Sequence, residues 1–168
     1  MLAAGVDIID IGGESTRPNA PLIGEGEELD RVVPLIRKLA QAGAAISIDT
    51  RKALVMESAL QAGATMINDI SALLYDDCAT DVSCKGNVPV VLMHAPSQGT
   101  DPHEGGHYDD VIYDVFDWLE KRVSEVEAAG LSREMILVDP GIGFGKTLAD
   151  NLAIINNLTI YHGLGCAL

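Results

Sequence analysis

Val138-Asp139-Pro140-Gly141-Ile142-Gly143-Phe144-Gly145-Lys146-Thr147 holds the architecture of this chain in miniature. An apolar segment stops at a carboxylate and opens into a loop with glycine at 141, 143 and 145. Asp10-Ile11-Gly12-Gly13-Glu14-Ser15-Thr16-Arg17-Pro18 repeats the design. Glycine lets the backbone approach a ligand closely, and a polar residue at a strand end points into the same space. Two such loops predict one shared site for an anionic or hydrogen-bonding small molecule.

The same phrase recurs elsewhere: Ala-Gly, a few residues, then an apolar run ending in an acid. It runs from Ala4-Gly5 to Asp10, Ala42-Gly43 to Asp49, Ala62-Gly63 to Asp69 and Ala129-Gly130 to Asp139. The glycine suits the left-handed residue that closes a helix, so each phrase predicts helix end, turn and strand. Strands are expected at about 6–11, 44–49, 65–69, 88–93 and 135–139, all near-continuously apolar, as when both faces are covered. Leu29, Val32, Val33, Ile36 and Leu39 repeat at helical spacing, with Pro34 a possible kink. Further helices are expected over 52–62 and 109–129, a long loop over 96–108, and a short helix or irregular crossover over 71–83.

Alternating strands and helices leave an open doubly wound sheet or a closed (β/α)8 barrel. The strand ends favour the barrel. Asp10, Asp49, Asn68-Asp69, His94 and Asp139 would all converge on one mouth, whereas an open sheet would spread them along an edge. A whole barrel takes ~250 residues, and this chain has 168. The expectation is therefore an α/β chain forming a partial (β/α)8 TIM barrel, about strands 2 to 6 with their helices. Residues 1–168 would be one barrel domain, incomplete at both termini. Met1 would begin in a final helical turn, and His162 to Leu168 would enter another strand.

A net charge of −14 speaks against a nucleic-acid partner, which needs a basic stripe. No apolar run approaches the ~20 residues of a membrane span, and no signal segment opens the chain. Cys78, Cys84 and Cys166 lack metal or redox spacing and are expected to be reduced cytoplasmic thiols, with a Cys78–Cys84 disulfide the alternative.

Three motifs fail on inspection. Gly145-Lys146-Thr147 ends like a P-loop, but Pro140 stands where that motif needs glycine. Gly141, Gly143 and Gly145 do not have dinucleotide-fingerprint spacing. His103-Glu104-Gly105-Gly106-His107 fits the H-E-x-x-H zinc string, yet that chemistry needs a helix and two adjacent glycines oppose one.

Asp49, Asn68 and Asp139 are stronger candidates. Any one of them could simply cap a local turn. Together at a barrel mouth they suit a ligand with several N–H donors in one plane, such as a 2-amino-4-oxo-pyrimidine ring. Thr16 and Arg17 suit phosphate oxygens, and Pro18 stiffens their turn. Phe144 either plugs the mouth or stacks on a ring.

With these residues in hand the sequence resembles the dihydropteroate synthase family, the sulfonamide target of folate biosynthesis. The matching pieces are Asp10 to Pro18, Ser47-Ile-Asp-Thr-Arg51, Ile67-Asn-Asp-Ile70, Leu92-Met-His94, Tyr108-Asp-Asp-Val111 and Val138 to Thr147. The resemblance implies a transferase that joins 6-hydroxymethyl-7,8-dihydropterin pyrophosphate to 4-aminobenzoate and releases pyrophosphate. It puts Asp49, Asn68, Met93 and Asp139 on the pterin, Thr16 and Arg17 on the pyrophosphate, and Pro18 and Phe144 at the aminobenzoate. It also implies ionisation of the pterin–pyrophosphate bond before amine attack, with no side-chain nucleophile. Mg²⁺ is implied as cofactor, its protein ligand expected before Met1, and a cytoplasmic homodimer as the assembly. A Ser-Arg-Lys strand and an Arg-x-His strand would follow Leu168. Asn19 departs from the family's usual glycine.

Two other readings stand beside it. A pterin-binding methyltransferase domain shares the barrel and its ring-binding acids, but would not need a pyrophosphate loop. An isolated segment of five strands is expected to be inactive, because its outer strands expose unpaired edges.

Overall fold

The computed structural model describes residues 1, 4–18, 20–97 and 101–168; Asn19 lies outside them. Among the described residues five strands alternate with five α-helices: β1 (Ile8–Gly12), α1 (Glu25–Gln41), β2 (Ala45–Asp49), α2 (Ala53–Ala62), β3 (Met66–Asp69), α3 (Ala79–Gly86), β4 (Val90–Met93), α4 (Val111–Ala128), β5 (Ile136–Asp139) and α5 (Leu148–Asn156). All neighbouring strands are parallel, and their order across the sheet is β1-β2-β3-β4-β5.

That order separates the two architectures. A doubly wound sheet reverses direction once, so that helices cover both faces. An order that never reverses, with crossovers of one hand, puts every helix on the same face. The other face must then curl inward, and the chain is a run of five βα units from a (β/α)8 barrel. Strand alternation agrees. Ile9, Ile11, Ile46, Ile48, Ile67, Leu92 and Val138 are buried in one core with helical Val32, Ile36, Met56, Leu119 and Val123. Ile8, on the opposite face, remains 52% exposed. Beyond β5, Ala167 makes a parallel bridge with Leu137, where the sequence predicted a further strand.

Local chemistry sets the boundaries. Gly43, Gly63 and Gly130, which close three of the Ala-Gly phrases, have φ of +78°, +113° and +117°. Helix α1 runs unbroken through Pro34, which faces solvent. Helix α4 starts two residues later than the expected 109 because the Asp110 carboxylate accepts the Ile112 N–H as its N-cap. Strand β4 starts at Val90, following Pro89, whose missing N–H keeps it from donating to a ladder. The crossover expected over 71–83 resolves into turns followed by α3, which extends to Gly86 because Asn87 adopts the left-handed closing conformation (φ +47°).

Candidate active site

Pairing register sorts the strand-end residues by face. Asp49 is the partner of Gly12 on one side and of Asn68 on the other. Asn68 pairs with Val91, and Met93, two residues on, pairs with Asp139. Paired residues of parallel strands point the same way, and a two-residue step keeps the face. Asp10, Asp49, Asn68, Met93 and Asp139 therefore share the inner face, near the C-terminal ends of their strands. Asn68 donates to the Asp10 carboxylate at 3.2 Å, and the Asp139 carboxylate accepts the Gly141 N–H at 2.7 Å.

Asp69 points the other way. It is fully buried among the helices and accepts from Ser71 N–H, Ser71 hydroxyl and Leu73 N–H at 2.7, 2.7 and 2.9 Å. These bonds hold Ala72 and Leu73 at φ +52° and +63°, an uncommon conformation for residues with side chains. Local capping thus accounts for Asp69 and leaves Asn68 to the mouth.

Burial, reinforced by the charges of Asp10, Asp69 and Glu28 and opposed by Arg51, pushes the Asp49 carboxyl up to about 7. Its proton is therefore in play near neutrality, and planar N–H donors placed against it would favour the carboxylate.

The β1 loop is anchored by an ion network. Glu14 takes Arg51 at 2.9 Å and Lys52 at 2.8 Å, and Lys52 also reaches Glu28, which is 1% exposed and accepts the Thr50 hydroxyl. Burial alone would raise the Glu14 carboxyl, but hydrogen bonds from Lys52 and Arg51 outweigh it and hold the group below its ordinary value. Arg51 also lies over the Tyr75 ring at 4.3 Å. The network presents a cleft of roughly 300 Å³ lined by Thr16, Arg17, Arg51, Ile70, Asp101 and Pro102. Pro18 is exposed and does not line it.

The β5 loop is folded around Lys146. Its ammonium donates to the Gly141 and Phe144 carbonyls at 2.9 and 3.2 Å and to His94 Nδ1 at 3.0 Å. Desolvation lowers Lys146 to about 8 and, aided by the Lys146 charge, lowers His94 to about 3, so the imidazole is neutral and Nδ1 is free to accept. Thr147 closes a capping box with Asp150 at the start of α5. The P-loop likeness of Gly-Lys-Thr is thus a loop brace and a helix cap. Phe144 packs against Ile70, Met93 and Ala95 at the strand ends. Residues 103–107 are not helical, so the two histidines of the zinc-like string share no helix face. All three cysteines are free thiols.

The profile of the pterin binding enzyme family matches residues 1–168. The chain belongs to that family. It is 43% identical to the dihydropteroate synthase of Bacillus subtilis over 166 residues, covering 98% of this chain and 56% of the relative. The Escherichia coli dihydropteroate synthase is 39% identical over 163 residues, covering 96% and 57%. Among solved structures, Xanthomonas albilineans dihydropteroate synthase with 4-aminobenzoic acid superposes with a TM-score of 0.91 at 43% identity, covering 98% of this chain and 58% of that one. The chain therefore spans little more than half the length of these relatives.

Sequence reasoning passed over the Glu14–Lys52–Glu28 network, Lys146 as a brace, and His103. The spacing of Glu28 on the inward stripe of α1, beside Val32 and Ile36, was the one available signal for the first. An acid at a core position needs a buried cation.

Proposed function

We propose that the protein containing this chain is a dihydropteroate synthase, condensing 6-hydroxymethyl-7,8-dihydropterin pyrophosphate with 4-aminobenzoate to give 7,8-dihydropteroate and pyrophosphate. The observation that carries the reading is the inner-face register of Asp49, Asn68 and Asp139 beside the Thr16–Arg17 cleft. Acceptors for a planar N–H edge and donors for an anion then flank one mouth. The Xanthomonas albilineans relative is bound to 4-aminobenzoic acid in one solved structure and to 7,8-dihydropteroate in another.

In this reading Asp49, Asn68 and Asp139 hold the pterin edge and Met93 lines its slot. Thr16 and Arg17 hold the pyrophosphate, and Pro18 and Phe144 border the aminobenzoate. The C–O bond to pyrophosphate breaks first, and its electron pair leaves with the anion. Asp139 stabilises the pterin cation, Arg17 the departing pyrophosphate, and the 4-aminobenzoate nitrogen attacks the methylene carbon and sheds a proton. Electrostatic stabilisation of both charges is the task, and no side-chain nucleophile is required. The pyrophosphate loop favours this reaction over methyl transfer, which has no such anion to hold.

The resemblance implies Mg²⁺, with its protein ligand before Met1, and such an ion is commonly completed by substrate phosphates and water. Among the described residues no three His, Cys, Asp or Glu side chains form a group that could hold a metal. Residues 1–168 would belong to one pterin-binding barrel domain, in a cytoplasmic homodimer. Free thiols suit a reducing compartment, and among the described residues no helix is long and apolar enough to cross a membrane.

The test is turnover of the two substrates by the full-length protein. Asp139→Asn or Arg17→Ala is expected to cut kcat/KM on the order of a hundredfold or more. Wild-type turnover in either variant sinks the site assignment, and no turnover by the native enzyme sinks the reaction.

A further inference from the structure

His103 lies in the β4–α4 loop, in a string that fails as a zinc motif, and nothing in the proposed reaction uses it. Its surroundings are nonetheless specific. Nε2 is 2.9 Å from the Thr16 carbonyl in the β1 loop, and Nδ1 is 3.2 Å from the Gly143 carbonyl in the β5 loop. Its ring stacks on Phe144, with centroids 4.7 Å apart and planes 11° from parallel. The Asp101 carboxylate accepts the His103 N–H at 2.8 Å and so fixes the backbone that presents the ring. One side chain thus touches both glycine-rich loops, which stand on opposite edges of the five-stranded sheet.

The backbone is built for this approach. A Cβ at Gly106 would lie 1.9 Å from the Gly145 carbonyl oxygen, and one at Gly145 would lie 2.2 Å from Pro96. The described part of the β4–α4 loop therefore seats directly on the β5 loop. Asp101 and Pro102, just before His103, line the same cleft as Thr16 and Arg17. Both ring nitrogens face carbonyl oxygens, so the ring serves both loops at once when each nitrogen carries a proton. With a single proton it keeps one of these bonds and the stack.

We propose that His103 is a positioning residue that clamps the Thr16–Arg17 loop to the Phe144 loop, so that the anion cleft and its aromatic neighbour form as one unit. Its effect on an anionic substrate is indirect. It holds the Thr16 carbonyl, and with it the segment carrying the Arg17 side chain, in place before the ligand arrives. A preformed site binds more tightly because less ordering remains to be done on binding. The assignment of pyrophosphate to Arg17 rests on the synthase reading; the clamp itself does not.

Hydrogen exchange and ligand binding on the full-length protein separate the two. His103→Ala is expected to speed amide exchange about tenfold over residues 14–17, at Ala20 and over 141–145 while leaving α2 unchanged. The Ala20 N–H to Arg17 carbonyl and Phe144 N–H to Gly141 carbonyl bonds are the reporters. His103→Phe, which keeps a stacking ring and loses both nitrogens, should restore protection at 141–145 only. Calorimetry with inorganic pyrophosphate should show binding weakened about tenfold in His103→Ala, and in turnover the loss should fall on KM more than kcat. Unchanged exchange over 14–17 and at Ala20 overturns the clamp, and faster exchange there with unchanged pyrophosphate affinity overturns its role in preforming the anion cleft. A native enzyme that binds pyrophosphate but makes no dihydropteroate overturns the synthase reading and leaves the clamp standing.

Discussion

Asp49 is the residue on which burial and the proposed ring-binding role pull in different directions. Its carboxyl is held at about 7, first by burial and then by the neighbouring acids, against an ordinary 3.8. A group raised in the folded state binds more protons folded than unfolded, so its contribution to stability falls as pH climbs from about 4 to about 7. Asp49→Asn is therefore expected to raise the thermal unfolding midpoint at about pH 8 and to change it little at about pH 4. Melts at the two pH values check this, and an equal shift at both would show that the carboxyl does not titrate in that window. The sequence placed Asp49, Asn68 and Asp139 at strand ends correctly. It chose Asn68 over its neighbour Asp69 without a local physical reason, because adjacent residues take opposite faces and only register says which face is inward.

The elements carry a second set of expectations, centred on the β5 loop and the start of α5. Gly141 sits at φ +70°, and a Cβ there would meet the His94 carbonyl oxygen at 1.9 Å. Gly141→Ala should cost more than ~2 kcal/mol, since both the conformation and the space exclude a side chain. Thr147→Ala removes the capping box and should cost about 1 kcal/mol in denaturant unfolding. A Gly141→Ala variant as stable as the native protein would refute the close approach to His94. The glycines were legible from composition alone. The inward turn of Lys146 was not, because its partners are carbonyls set by a loop path that no periodicity encodes.

For the molecule as a whole, the buried ion network ties β1, α1 and β2 together across long sequence separations. Lys52→Met leaves Glu28, 1% exposed, without its cation and should cost about 3–5 kcal/mol. Changing Glu28 to Gln in the same protein should recover part of that loss, because an uncompensated buried charge is the main penalty. If the double variant is no more stable than the single one, packing rather than charge holds this corner. The fold itself follows from one global fact. Strands added in a single direction place every helix on one side, which leaves the polar strand ends facing a shared interior.

The sequence by itself determined the alternation of strand and helix, the parallel sheet and the polar residue closing each strand. Apolar periodicity, Ala-Gly helix ends and glycine-rich loops are local signals, written within a few residues of where they act. Its family strings proposed roles for Thr16, Arg17, Pro18, Met93 and Phe144 before any geometry was known. Only the tertiary structure decided which face each strand-end acid takes, that Asp69 is a cap, that Lys146 braces a loop from within, and that His103 joins loops from opposite edges of the sheet. Those outcomes depend on contacts between residues up to 87 positions apart, such as His103 with Thr16. No local pattern records which distant carbonyl a side chain will meet, because chain reversal and sheet register, rather than propensity, bring the two together.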